Sequence, residues 1–268
     1  RNLHDLTIDL NRTAQLAPLV PEGKVVVSES GIRNNHTVRQ HGAHANAFLV
    51  GSQLTGTPDI DRAARELVFG SNKVCGLTSW SAAQAARAAG AVYGGLIFEE
   101  ASPRNVSRET ALDIIAHEPG LTYVAVSRRI TGWEELALDG IDCFQIHAPY
   151  QGSTEAELNL INAVRTVAGE RQVWRAIDMT APHGPDLAAA LADATDLLIL
   201  DSGPGGTGTS FDWTTIPDSI KEKSLLAGGL NQSNLAEALR VGTVGLDLNS
   251  GLEINGRKDA GIIAQTFN

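Results

Sequence analysis

The chain has 268 residues, 43% of them hydrophobic, and a formal net charge of −10. That length suits one large α/β domain or two ordinary ones with a sizeable core. The acidic balance argues against a nucleic-acid or anionic-membrane surface, and no apolar run approaches the roughly 18 residues of a membrane span.

Residues 73–268 alternate between short apolar runs and longer segments of helical periodicity. Strands are expected at Lys73–Gly76, Tyr93–Phe98, Leu121–Val126, Cys143–His147, Gln172–Ile177, Leu197–Asp201, Ser224–Ala227 and Val244–Leu248. Helices are expected at Ser81–Ala89, Arg108–Ala116, Glu155–Val167, Asp186–Ala192, Gln232–Leu239 and Asp259–Thr266. A short helix falls near Trp133–Leu138, and Pro217 interrupts Thr214–Lys223. Continuous apolar strands alternating with helices mean a parallel sheet buried on both faces. Eight such units point to an α/β fold, a closed (β/α)8 barrel with short loops. An open doubly wound sheet is the competing architecture, but no G-x-G-x-x-G follows the first strand.

In such barrels chemistry gathers at the C-terminal ends of the strands. Those ends carry Cys75, the Glu99–Arg104 loop, Ser127–Arg129, His147, Asp178, Asp201, Ala227-Gly228-Gly229 and Asp247-Leu248-Asn249-Ser250-Gly251. Cys75 reads either as a packed thiol or as a reactive thiolate, and Gly76 directly after it favours the second. Cys143 sits near the start of its strand, on the other end of the barrel, and is expected in the core. Asp201 follows four apolar residues and precedes a loop with four glycines. It reads as a turn residue or as an acid whose pKa the apolar strand raises. The glycines, Gly205 and its neighbours among them, would let backbone approach or cover a ligand.

"LLAGGLNQSN" (225–234) and "LDLNSGLE" (246–253) end strands seven and eight with small residues and free backbone N–H groups. Barrels commonly hold a phosphate there, so Gly228, Gly229, Asn249, Ser250 and Gly251 are candidate phosphate ligands. Arg104, stiffened by Pro103, is placed to grip a carboxylate through two parallel hydrogen bonds, or to sit in solvent. His147 reads equally as structural or substrate-contacting.

"KVCGLT", "GLIFEEASPRNVS", "QIHAP", "LDSGPGGTGTSFDW", "LLAGGLNQSN" and "GLDLNSGLE" follow one another in order and spacing. Together they resemble phosphoribosylanthranilate isomerase, a TIM-barrel family of tryptophan biosynthesis, over 72–268. "RNLHDLTIDL", "VVVSESGI" and "AFLVGSQL" resemble the last two strand–helix units of indole-3-glycerol-phosphate synthase, which some bacteria fuse ahead of the isomerase. The expected division is therefore a partial βαβα fragment of a second barrel over 1–70 and an isomerase barrel over 71–268. The fragment would hold strands at Val25–Ser28 and Ala47–Val50, with Asp59–Val68 as connector. Its Glu29, Ser30, Gly31, Gly51 and Ser52 match ligand-facing synthase segments. Two strands cannot close a barrel, so synthase activity is expected to be absent. The opening Arg1, with no initiator methionine and no signal peptide, fits a piece of a longer chain.

The resemblance implies an Amadori rearrangement of N-(5′-phosphoribosyl)anthranilate that needs neither metal nor redox cofactor. Asp201 would be the general acid and Cys75 the general base. Arg104 would hold the anthranilate carboxylate, His147 and Asp247 would contact the substrate, and the loops after strands seven and eight would hold its phosphate. A small phosphorylated substrate is then the expected partner, with no nucleic acid and no membrane. Two cysteines without a disulfide framework suit a cytoplasmic location. Arg175, Ala148, Ser127 and Arg129 depart from the residues usual in the family, which puts the pocket walls in question. A histidine-pathway or dual-substrate isomerase is the alternative within the class, though those sites typically carry aspartate where this chain has Cys75. An inactive barrel scaffold is the alternative outside it.

Overall fold

The computed structural model describes residues 4–5, 7–203 and 210–267. They form two compact units, Arg1–Gly70 and Ser71–Asn268.

The first unit pairs two short parallel strands, Val27–Glu29 and Ala47–Leu49, in the register Val27↔Ala47. Asn34 starts the helix Asn35–Gly42 by accepting a hydrogen bond from the Thr37 N–H. Asp59 starts Ile60–Phe69 in the same way, accepting from Arg62. Ser28 Oγ lies 3.0 Å from His41 Nδ1 and 2.9 Å from Thr13 Oγ1, which ties strand to helices. Asn35 Nδ2 donates to Leu67 O and Val68 O, so the two longer helices are joined at their ends. Ser30 has a φ of 68° and Gly31 one of 81° just past the first strand. A serine there holds a left-handed conformation at a cost.

The second unit contains eight strands, β1 (Lys73–Cys75), β2 (Tyr93–Ile97), β3 (Thr122–Ser127), β4 (Ile141–Ile146), β5 (Gln172–Asp178), β6 (Leu197–Asp201), β7 (Ser224–Leu226) and β8 (Gly245–Leu248). All pair in parallel, and β8 closes on β1 with Asp247 opposite Lys73, giving a closed barrel. The open-sheet alternative is thereby excluded. Alternation along each strand sorts the side chains. Val74, Tyr123, Ala125 and Leu198 pack outward against the helices. Cys75, Val124, Val126, Trp174 and Ile199 pack inward. Cys143 lies fully buried in that interior cluster. Tyr93 meets Trp174 edge-on at 4.8 Å and fills the barrel's middle.

Serines set the helix starts. Ser79, Ser107 and Ser153 accept from the third residue onward and open Trp80–Ala89, Arg108–His117 and Thr154–Ala168. The expected helix near Trp133 is a 3-10 turn, Trp133–Leu136. The segment around Pro217 splits into the 3-10 turns Trp213–Thr215 and Asp218–Lys223, because proline at 217 cannot continue a preceding helix. The helix expected at Gln232–Leu239 shrinks to Leu235–Ala238, since Asn231 and Asn234 are held in a turn by side-chain bonds. A small antiparallel hairpin, Glu253–Ile254 with Arg257–Lys258, was not expected. Asn255-Gly256, both at positive φ, makes its turn.

Arg175 has a defined structural place. Its Nε and Nη2 donate to the two oxygens of Glu157, each at 2.8 Å, and its Nη1 donates to the carbonyls of Ala148 and Ala176. Both partners are buried. The pair pins Thr154–Ala168 to the ends of β4 and β5 and fixes the turn containing Ala148. Removing one partner strands a buried charge. Glu157→Ala is therefore expected to lower unfolding stability in urea by about 3 kcal/mol or more. Replacing both residues together by apolar ones (Glu157→Leu with Arg175→Met) should recover much of that loss.

Candidate active site

A cavity of about 380 Å³ opens at the C-terminal mouth of the barrel. Nine of the ten residues singled out in the sequence line it, namely Cys75, Arg104, His147, Asp201, Gly228, Gly229, Asp247, Asn249 and Ser250. Gly251 does not line it. Its role is packing, because a Cβ there would lie 2.1 Å from the Leu230 carbonyl oxygen. The loops after β7 and β8 thus touch backbone to backbone. The residues Gly205 to Gly208, expected to approach a ligand, lie outside the described residues.

Cys75 ends β1 with its side chain toward the interior, 5% exposed. Gly76 follows at a φ of 71°, and a Cβ there would collide with Arg104 Cδ at 2.6 Å and Asn249 Oδ1 at 2.9 Å. Glycine at 76 therefore permits both the turn and the approach of the neighbouring loops. Burial pushes the Cys75 thiol up, Lys73 pulls it back, and Asp247 adds to the rise, so the free thiol stands above its ordinary value. Lys73 itself is wholly buried, 2.8 Å from Asp247 Oδ2.

Asp201 ends β6. Burial pushes its carboxyl up to about 7, against the pull of the Ser202 N–H, which donates to Oδ1 at 2.7 Å. Asp247 and Asp178 add to the rise, and Lys73 opposes it. His147 Nε2 lies 3.7 Å from Asp201 Oδ2. Burial, helped by Lys73, Arg175 and Arg128, pushes the His147 imidazole down to about 4. Near neutrality the cavity thus offers a neutral histidine beside a carboxyl that still holds much of its proton.

Arg104 is not a waiting cation. Its Nε and Nη2 donate to the two Glu253 oxygens, each at 2.7 Å. Lys258 also donates to Glu253, and at 2.9 Å to Asn249 Oδ1. Glu253 and Lys258 belong to the hairpin after β8, and neither was singled out in the sequence. The bidentate grip leaves Nη1 of the guanidinium unused by Glu253.

Gly228 and Gly229 take φ values of 85° and 63°. A Cβ at Gly228 would lie 2.4 Å from Ser202 Oγ. Asn231 and Asn234 both donate to the Gly229 carbonyl and hold the loop open, while the N–H groups of the two glycines make no hydrogen bond among the described residues. Two buried acceptors in the cavity are also unpartnered, Asp247 Oδ1 and Gln145 Oε1. Gln145 and Lys73 escaped sequence analysis, although each sits two residues before a candidate on the same strand face (His147 and Cys75). Ser127 donates to Glu99 Oε1 at 2.6 Å, and Arg129 turns away to Gly132 O and Glu135, closing the loop after β3. Among the described residues no three His, Cys, Asp or Glu side chains converge as metal ligands, and no helix is long and apolar enough to cross a membrane.

Residues 72–268 match the family model for N-(5′-phosphoribosyl)anthranilate (PRA) isomerase. The chain belongs to this family. Residues 1–67 match the model for indole-3-glycerol phosphate synthase. A tryptophan biosynthesis protein TrpCF from Corynebacterium glutamicum is 61% identical over the whole chain, which spans 58% of that relative. A TrpCF protein from Yersinia pestis is 41% identical, again over the whole chain and 55% of the relative. The chain thus spans little more than half the length of these curated relatives. Among solved structures, the PRA isomerase of Thermus thermophilus superposes with a TM-score of 0.60 at 26% identity, covering 73% of this chain and 96% of that one. That of Thermotoga maritima gives 0.61 at 25% identity, with 74% and 96% coverage.

The raised Asp201 carboxyl has a measurable consequence for a PRA isomerase barrel. A carboxyl whose folded pKa lies above its unfolded value contributes stability below the unfolded value, and loses it as pH rises through the folded one. The window here runs from about 4 to about 7. Asp201→Asn is therefore expected to be more stable than wild type at about pH 8, by up to the order of 4 kcal/mol, with the advantage vanishing below about pH 4. Chemical denaturation across that range measures it.

Proposed function

We propose that the chain catalyses the Amadori rearrangement of N-(5′-phosphoribosyl)anthranilate to 1-(2-carboxyphenylamino)-1-deoxyribulose 5-phosphate. The observation that carries this reading is the cavity shared by a desolvated carboxyl on β6 and a thiol on β1. Asp201 protonates the furanose ring oxygen, and the ring opens to an iminium at C1′. The iminium acidifies the C2′ proton, which the Cys75 thiolate removes to give an enolamine. Cys75 then returns its proton to C1′ while the Asp201 carboxylate takes the C2′ hydroxyl proton, giving the ketone and restoring both groups.

The residue types follow from that chemistry. An acid must carry a proton near neutral pH, and an apolar setting keeps Asp201 in that state. A thiol must ionise to act as a base, and a cationic iminium beside Cys75 favours the thiolate. The N–H groups of Gly228 and Gly229, with Ser250 and Asn249 across from them, suit the phosphate. Asp247 Oδ1 and Gln145 Oε1 are free to accept from sugar hydroxyls. Arg104 meets the anthranilate carboxylate through Nη1 while Glu253 holds the other edge of the fork. His147, neutral and close to Asp201, orients the acid without lowering its pKa. A small phosphorylated substrate, no nucleic-acid partner and a reducing cytoplasm accord with the acidic charge and two free cysteines.

Loss of anthranilate-type fluorescence on mixing with freshly made phosphoribosylanthranilate reads the activity. Cys75→Ser and Asp201→Asn should each lose about a hundredfold or more in kcat. Wild-type rates in Cys75→Ser would remove the assigned base. Full ligand binding without turnover in the wild type would instead favour an inactive scaffold.

A further inference from the structure

Lys73 is the residue whose burial the proposed proton transfers leave unexplained. It has no exposed surface, and its ammonium lies 2.8 Å from Asp247 Oδ2 on the adjoining strand. A buried ion pair holds two strands together no better than two apolar side chains of similar size. Strand alternation places Lys73 and Cys75 on the same interior face of β1. Both crowd the same point on β2, where a Cβ at Gly95 would lie 2.8 Å from Cys75 Sγ and 3.0 Å from Lys73 Cε. The charge of the ammonium acts on the thiol as well as on Asp247.

We propose that Lys73 is a positioning residue for Cys75, its ammonium anchored by Asp247 so that it supplies the counter-charge for the thiolate at the buried end of β1. The inference rests on reading Cys75 as the base. The charged groups facing the sulfur are Lys73 from β1, Asp247 from β8, Lys258 from the hairpin and Arg104 from the loop after β2. Lys258 and Arg104 both engage Glu253, which offsets their charge. Of these cations Lys73 acts most strongly on the sulfur. Asp247 competes for the ammonium with one oxygen, while its other oxygen is buried without a partner in a residue that lines the cavity. A sugar hydroxyl donating to that free oxygen draws carboxylate charge away from Lys73 and leaves the ammonium more to the thiolate. Substrate binding and ionisation of the base are thereby coupled. Cys75 gives its proton to solvent through the open cavity before it takes the one from C2′.

The test is an ultraviolet titration of the thiolate in the full chain, each protein being compared with its Cys75→Ser counterpart. Lys73→Met should raise the midpoint by about one pH unit or more. Asp247→Asn removes the competing charge and should lower it. An unmoved midpoint in Lys73→Met overturns the proposal. Should that variant not fold, an unmoved or raised midpoint in Asp247→Asn overturns it. Turnover of phosphoribosylanthranilate against pH is followed alongside. In Lys73→Met it should fall about tenfold relative to wild type near neutrality, with the ratio closing as pH rises above the wild-type thiol midpoint. A raised midpoint with undiminished turnover upholds the charge coupling and defeats Cys75 as base. Lost turnover with an unmoved midpoint defeats the coupling and leaves the assigned base standing.

Discussion

The hydrogen bonds between β8 and β1 are the constraint on which the second unit depends. Their register puts Asp247 level with Lys73 and brings the loop after β8 against Gly76. The hairpin that follows then reaches Arg104 with Glu253 and Cys75 with the charge of Lys258. In an open sheet of eight strands the first and last would stand apart by several strand spacings of about 4.8 Å each. Cys75 would then share no cavity with the glycine loops after β7 and β8, and a phosphate held there could not place a sugar over the sulfur.

Closure also buries the Cys75 and Asp201 side chains, and the same desolvation acts on acid and base with opposite usefulness. It raises the Asp201 carboxyl, which suits a group that must donate a proton. It raises the Cys75 thiol as well, which opposes a group that must lose one. The surrounding charges are placed unevenly enough to separate the two. Lys73 shares the sulfur's interior face of β1, whereas the imidazole 3.7 Å from Asp201 Oδ2 is kept neutral by its own burial. A protonated histidine at that spot would have pulled the carboxyl down and discharged the acid.

Much of this was legible in the sequence. Eight apolar runs at regular spacing give the barrel, and polar residues at the ends of those runs give the cavity, because strand ends are where a closed parallel sheet presents side chains to solvent. Contacts formed only by closure were not legible. Arg104 meets Glu253 across 149 positions, and Lys73 meets Asp247 across 174. No local pattern announces either pair, so Arg104 read as free and Lys73 was passed over. Lys73 could have been weighed from its place two residues before Cys75, and the hairpin from Asn255-Gly256. The segments after β3 and β6 read as a short helix near Trp133 and a run broken at Pro217, but runs so short leave too little periodicity to tell a 3-10 turn from a helix. The turn at Ala148 became intelligible only with Arg175 and Glu157 in place behind it.

The state of Asp201 in the substrate-free protein bears most directly on the whole arrangement. Infrared difference spectra, wild type minus Asp201→Asn, resolve the carbonyl stretch of a protonated carboxyl as pH is varied. A band that persists to neutrality and titrates with a midpoint near 7 is the expected result. A carboxyl already ionised at about pH 5, close to the ordinary range for aspartate, would contradict a desolvated acid at the barrel mouth.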